Sequence, residues 1–430
     1  MRQIALIAVF FLSIQFVTGQ KVSHDSVAIF FDEIRTASKK NTELWDRDLY
    51  GPTILIDPKT REILANESDT GGLLKADGSL YSGILPAQIN IANTAFSWNG
   101  KRWTMVMLPL PQNKQNRIHL LAHESFHNIQ PGLGFKLNNT ENNHLDQKEG
   151  RIYLRLELEA LKKALQSSSE KEMKEHLTHA LIFRKYRHLL YNGAAAAENS
   201  LELNEGIAEF TGAVVSGRNI LQSKTFFING IDEFFGNPTF VRSFAYYTAP
   251  VYLYLSYHKE RNGHKKIKSD TDLTDYFIQA FKIYIPADLK TTAGKISGYY
   301  NGNVIIKEEK EREEKTKKLI AAYQLKFIDR PHFEIQFEKM NVSFDPRNII
   351  PLGDQGTVYP NIRVTDLWGI LTVENGALMS PKWDKISITN PTGTEGEKIA
   401  GDGWTLELKD GYSLEKDQTN GNYKLKKNKN

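Results

Sequence analysis

Leu120-Leu121-Ala122-His123-Glu124-Ser125-Phe126-His127 is the stretch on which the reading of this chain turns. Histidines four residues apart lie one helical turn above each other, so both imidazoles reach a single ion, while the glutamate after the first points at a water on that ion. The pattern is H-E-x-x-H, and Leu121, Ala122 and Phe126 give the same helix an apolar face to bury. A zinc-binding helix is therefore predicted over about residues 113–129, with His123 and His127 as ligands and Glu124 as the general base. His119 extends the histidine ladder by one turn and reads more simply as a helix histidine satisfied by a partner.

Working outward, Arg102 to Leu108 alternates partly and ends at Pro109 and Pro111, which predicts a strand that stops just before the zinc helix. That strand is a candidate sheet edge for an extended peptide. Asn99-Gly100 marks a hairpin, and Thr53–Ile56 with Arg61–Leu64 read as two strands around an Asp57-Pro58-Lys59-Thr60 turn. An amphipathic helix is predicted over 24–42. Beyond the zinc helix, apolar residues recur at three and four over 150–165 and 170–190, and a further helix covers 194–215. The charged run Lys307 to Lys315 reads as a solvated helix face. From about Arg330 the texture changes to short β-rich runs separated by Gly, Pro and Asn. The expected organisation is α+β: a signal peptide at 1–19, a body at 20–329 with a mixed part (20–112) and a mainly helical part (113–329), and a β-rich domain at 330–430.

Two histidines do not complete a catalytic zinc site. The metzincin extension would place Gly at position 130 and His at position 133, where this chain has Gln130 and Leu133. An acidic third ligand on a later helix is the other solution, and Leu203-Asn204-Glu205-Gly206-Ile207-Ala208-Glu209-Phe210 offers acids for it. Glu198, Glu202, Glu205 and Glu209 are spaced four, three and four apart, which on an α-helix is one face.

With these residues the chain resembles gluzincin metallopeptidases, in which an N-E-x-x-x-[DE] or N-E-G-x-A stretch on a second helix completes the HExxH site; Asn204, Glu205 and Glu209 match it. The thermolysin-like and N-E-G aminopeptidase families are the nearest namesakes. The resemblance implies a zincin-like fold, Glu205 as the third zinc ligand, and Glu209 as the acid that hydrogen-bonds a zinc-binding histidine. It also implies a Tyr or His downstream that supports the oxyanion, for which Tyr246 in Phe244-Ala245-Tyr246-Tyr247 is the choice, with Tyr247, His258 and His264 behind it. No G-x-M-E-N substrate-amine motif precedes the helix, which leaves endo- and exopeptidase action both open. A zinc with three protein ligands keeps a water, acidified toward a pKa of about 7, for attack on a peptide carbonyl. The competing reading is a non-enzymatic surface or binding protein with a degenerate or structural zinc site.

Composition sets the outer bounds. Fifty-five basic and 51 acidic residues, net +4, are spread along the chain, which implies neither a nucleic-acid nor a membrane-binding surface. Cysteine is absent, which removes disulfides, thiolate ligands, a cysteine nucleophile and a lipid-anchored N-terminal cysteine. Arg2, the apolar run Ile4 to Val17 and the small residues before Gln20 read as a cleaved signal peptide, which predicts a periplasmic or extracellular protein, with a bacterial source the best fit. At 430 residues the chain holds two domains, or three with a small one. The expected cofactor is one Zn2+, and the expected partner a peptide or protein substrate.

Overall fold

The computed structural model describes residues 23–86, 89, 91–136, 142–344, 349–395 and 398–428; the expected signal peptide lies outside them. The described chain is α+β with a β-rich C-terminal region. It runs α1 (His24–Lys40), β1 (Thr53–Ile56), β2 (Glu62–Ala65), β3 (Lys75–Asp77), β4 (Leu80–Ile84), β5 (Thr94–Trp98), β6 (Lys101–Met107) and α2 (Lys114–Ile129). There follow α3 (Lys148–Gln166), α4 (Glu170–Leu190), α5 (Ala194–Leu201), a π turn (Glu202–Gly206), α6 (Ile207–Val215), α7 (Ile220–Phe234), α8 (Ala249–Lys259), α9 (Leu273–Ala280), α10 (Leu289–Ile296) and α11 (Gly302–Gln324). Strands occupy most of the remainder, from His332 to Lys427. Two compact units emerge: Met1–Asn138 with Leu203–Ser223 and Leu253–Thr271, and Asn139–Glu202 with Lys224–Tyr252 and Asp272–Asn430.

The first unit is built on a six-stranded sheet of order β3-β4-β2-β1-β6-β5. Turn chemistry sets its register: Asp57 accepts from the amides of Lys59 (2.7 Å) and Thr60 (3.1 Å), and Asn99 and Gly100 take φ of 48° and 81°, as a two-residue hairpin turn with right-handed twist requires. β1 pairs antiparallel with β2 and parallel with β6, and all four of its residues are buried. β6 therefore lies inside the sheet, not at its rim as its sequence suggested; the edge beside it is β5, which pairs only its inner side among the described residues. β6 leads into α2, whose start is capped by Asn113 accepting from the Asn116 amide at 3.0 Å. At its other end Arg102 of β6 donates to the carbonyls of His127 (3.3 Å) and Asn128 (3.2 Å), satisfying oxygens that a helix end leaves without partners.

In the second unit α3 and α4 pack along one another around buried charge. Arg184 and Arg187 are fully buried with Glu157, Glu198 and Glu202: Arg184 meets Glu157 at 2.8 Å and Glu202 at 2.6 Å, and Arg187 meets Glu198 at 2.6 Å and Glu157 at 2.8 Å. The helix expected over 194–215 is present with those bounds, but the π turn within it changes its α register. The acids expected on one face divide into Glu198 and Glu202, which pair with Arg187 and Arg184, and Glu205 and Glu209, which meet His123. The run over 307–315 forms part of α11 but is not wholly solvated, since Glu309 is buried against Arg151 (3.0 Å) and Arg155 (2.9 Å). After α11 the strands form a seven-stranded and a six-stranded sheet around a core that includes Phe333, Trp368, Leu371, Ile386 and Trp404. No described helix is long and apolar enough to cross a membrane.

Candidate metal centre

All the residues that surround the histidine ladder described here belong to the first unit. Ile118, Leu121, Ala122 and Phe126 are buried along α2, which fixes the helix and turns His119, His123 and His127 toward α6 and the π turn. Close approach of α6 rests on Gly212: a Cβ there would lie 2.7 Å from Cδ2 of His119 and 2.8 Å from its carbonyl oxygen. Trp45 ties α6 down from another side, donating its indole N–H to the Thr211 hydroxyl at 3.0 Å while its ring tilts against Phe126.

Three atoms then converge. The Nε2 atoms of His123 and His127 are 3.2 Å apart, and Oε2 of Glu205 is 3.5 Å from the first and 3.4 Å from the second. Zinc bonds of 2.0–2.1 Å at tetrahedral angles put neighbouring donors about 3.3–3.4 Å apart, so the triangle has the size a zinc ion needs. Among the described residues, these three form the group of His, Cys, Asp or Glu side chains so gathered.

Each imidazole is held from behind. Nδ1 of His123 lies 3.0 Å from Oε2 of Glu209, so the ring donates its N–H to that carboxylate and leaves Nε2 as the metal-facing lone pair. Nδ1 of His127 donates to Oε1 of Gln130 at 2.9 Å. The fully buried Gln130 spends its own N–H groups on the carbonyls of Leu203 (3.0 Å) and Asn204 (3.1 Å), which settles which end of the amide faces the histidine. The same side chain therefore fixes the His127 tautomer and pins the π turn that carries Glu205. Sequence reasoning met Gln130 only as the position where the metzincin glycine was missing, and its place three residues after the second histidine was the available signal. Asn204, expected as part of the motif, donates to Oε1 of Glu205 at 3.2 Å, leaving Oε2 for the triangle.

The electrostatics ask for a cation. Burial disfavours a charged His123, but Glu205 and Glu209 beside it outweigh that and push its pKa up to about 10. Burial also drives the Glu124 carboxyl up, against the pull of His123 and His127. Oε2 of Glu124 is buried and has no hydrogen-bond partner, a costly arrangement that a water on a bound ion would relieve. The donor set thus fits a zinc ion.

Tyr246 lies in the second unit, in the 3-10 turn Phe244–Tyr246, and His258 is exposed near the end of α8. His264 is buried and donates from Nε2 to the Leu44 carbonyl at 2.6 Å, so it is a structural histidine and not an oxyanion donor. Glu202 likewise leaves the list of acids near the metal, since Arg184 and the Thr248 hydroxyl (2.5 Å) hold it. No family model, curated protein or solved structure matches this chain.

Proposed function

We propose that the chain is an exported zinc metallopeptidase of the gluzincin kind, with His123, His127 and Glu205 as ligands. The observation that carries the reading is the triangle of two Nε2 atoms and one carboxylate oxygen with edges of 3.2 to 3.5 Å, beside a buried glutamate oxygen without a partner. When bound, zinc would supply Lewis-acid polarisation of a peptide carbonyl and acidification of a water.

The chain's own residues do the rest. Glu124, held up by burial, accepts the water proton as the water attacks the carbonyl and delivers it to the leaving amine, so its carboxyl returns to the starting state. Glu209 and Gln130 hold the two imidazoles in the tautomer and orientation that ligation needs. The side of β5 that pairs with no described strand offers backbone groups to which an extended peptide can add as a strand, next to the strand that feeds α2. A structural zinc would ordinarily have four protein ligands and no use for a base, which favours the enzyme over a binding protein.

The test is metal analysis of the purified protein combined with a peptide-library digest, each with and without chelator. One zinc per chain and chelator-sensitive cleavage are expected. Full cleavage by metal-free protein sinks the proposal.

A further inference from the structure

Behind the proposed ligands lies a second rank of side chains that the reaction does not itself require. Glu209 bridges two turns of α2: Oε2 lies 3.0 Å from Nδ1 of His123, and Oε1 lies 2.8 Å from Nε2 of His119. His119 is buried, and its other nitrogen, Nδ1, is 3.1 Å from a guanidinium N–H of Arg218. A guanidinium only donates, so Nδ1 of His119 is the acceptor, and the ring's proton must sit on Nε2, facing Glu209. Arg218 is braced in turn by Asn116, whose side-chain oxygen accepts from its second amino group.

The tautomers of both histidines are therefore set from outside the metal site. The Glu209 carboxylate sits between two buried rings, with Oε2 accepting from Nδ1 of His123 at 3.0 Å and Oε1 2.8 Å from Nε2 of His119. Gly212 is what lets α6 come close enough for this, because any side chain there would strike the His119 ring. A helix histidine that served packing alone would not need an arginine to choose its tautomer, nor a carboxylate shared with a ligand.

We propose that His119, oriented by Arg218, is a positioning residue for the zinc site: its Nε2, 2.8 Å from Oε1 of Glu209, holds that carboxylate where Oε2 reaches His123. This rests on the zinc reading above, and the two are separable because binding is measured without reference to activity. The probe is Zn2+ in competition with a chelator of known affinity, on the full chain, for native protein, His119→Leu, His119→Gln, Arg218→Gln, Glu209→Gln and the double variant His119→Leu/Glu209→Gln.

Leucine at 119 should weaken zinc binding about tenfold, at the low end for loss of a residue behind a ligand, and Arg218→Gln about threefold. Glutamine at 119 keeps an N–H near the place of Nε2 and should stay within about twofold of native, a rescue that lost packing would not produce. In the Glu209→Gln background the His119→Leu change should add nothing, since the carboxylate through which it acts is gone. Unchanged zinc affinity in His119→Leu, or full additivity with Glu209→Gln, overturns the inference while leaving the zinc centre standing. If His119→Leu does not fold, unchanged affinity in Arg218→Gln overturns it equally. Native protein that takes up no zinc removes both this inference and the reading beneath it.

Discussion

Replacing Glu202 with alanine separates the acids that the sequence could not. Glu202 is 1 % exposed, lies 2.6 and 2.9 Å from two amino groups of Arg184, and accepts from Thr248 at 2.5 Å. Its removal leaves the buried Arg184 with Glu157 as the remaining carboxylate of its pair of contacts, and breaking a buried ion pair from one side costs about 3–5 kcal/mol. Burial itself pushes the Glu202 carboxyl up, with Arg184 opposing, so part of the attraction already offsets desolvation and the expected loss is about 3 kcal/mol. At about 2–4 °C per kcal/mol for a domain of this size, the melting temperature should fall by roughly 6–12 °C. Zinc affinity of the folded variant should be close to native. Glu205→Ala is the mirror image: Glu205 is not in the ion network, and its loss should nearly abolish zinc binding with a smaller effect on metal-free stability. Thermal unfolding of the metal-free proteins, followed by circular dichroism, and zinc competition titration read the two quantities separately. A Glu202→Ala protein that melts like native but has lost its zinc would refute the division of the acids.

Glu124→Gln should retain zinc while peptide turnover drops about 10²- to 10⁴-fold, measured by stopped digests of the best library peptide. Gly212→Ala forces a Cβ to within 2.7 Å of the His119 ring and should cost about 1–3 kcal/mol, read by chemical denaturation, with weaker zinc binding alongside. For pH, Glu198 carries the clearest sign: burial would raise its carboxyl, but Arg187 and His188 hold it well below the ordinary value of 4.5. A depressed folded pKa contributes stability that is present above the unfolded value and lost as pH falls through the folded one, so stability should decline on acidification below about 4.5. Glu198→Gln should flatten that decline in a series of melts from neutral to acid pH.

Much of this was legible in the sequence because it rests on local rules. The 3.6 period gave α3 and α4 to within two residues, Asn99-Gly100 gave the β5–β6 hairpin, and histidines four apart sufficed to bring two Nε2 atoms together. What escaped depends on partners distant in the chain. Strand order is such a property: nothing within Lys101–Met107 says that β1 will lie parallel on one side of it and β5 antiparallel on the other. Gln130 escaped because an amide has no chemistry of its own to betray it; its importance lies in two backbone carbonyls seventy-odd residues later. The four-acid face failed because spacing arguments assume an unbroken α-helix, and no residue between Glu202 and Gly206 announces that the register changes there. Glu309 was read as solvated because burial of a polar side chain follows from tertiary neighbours and not from its sequence surroundings.

The π turn at Glu202–Gly206 fixes how the two acids of the metal centre face relative to each other. A π turn is what a helix makes of one surplus residue, absorbed without unwinding the turns on either side. Each residue of a helix turns the chain by about 100°. Losing Gly206, between the two acids of the metal centre, would therefore swing Glu205 about 100° from its place beside the two Nε2 atoms while Glu209 stayed behind His123.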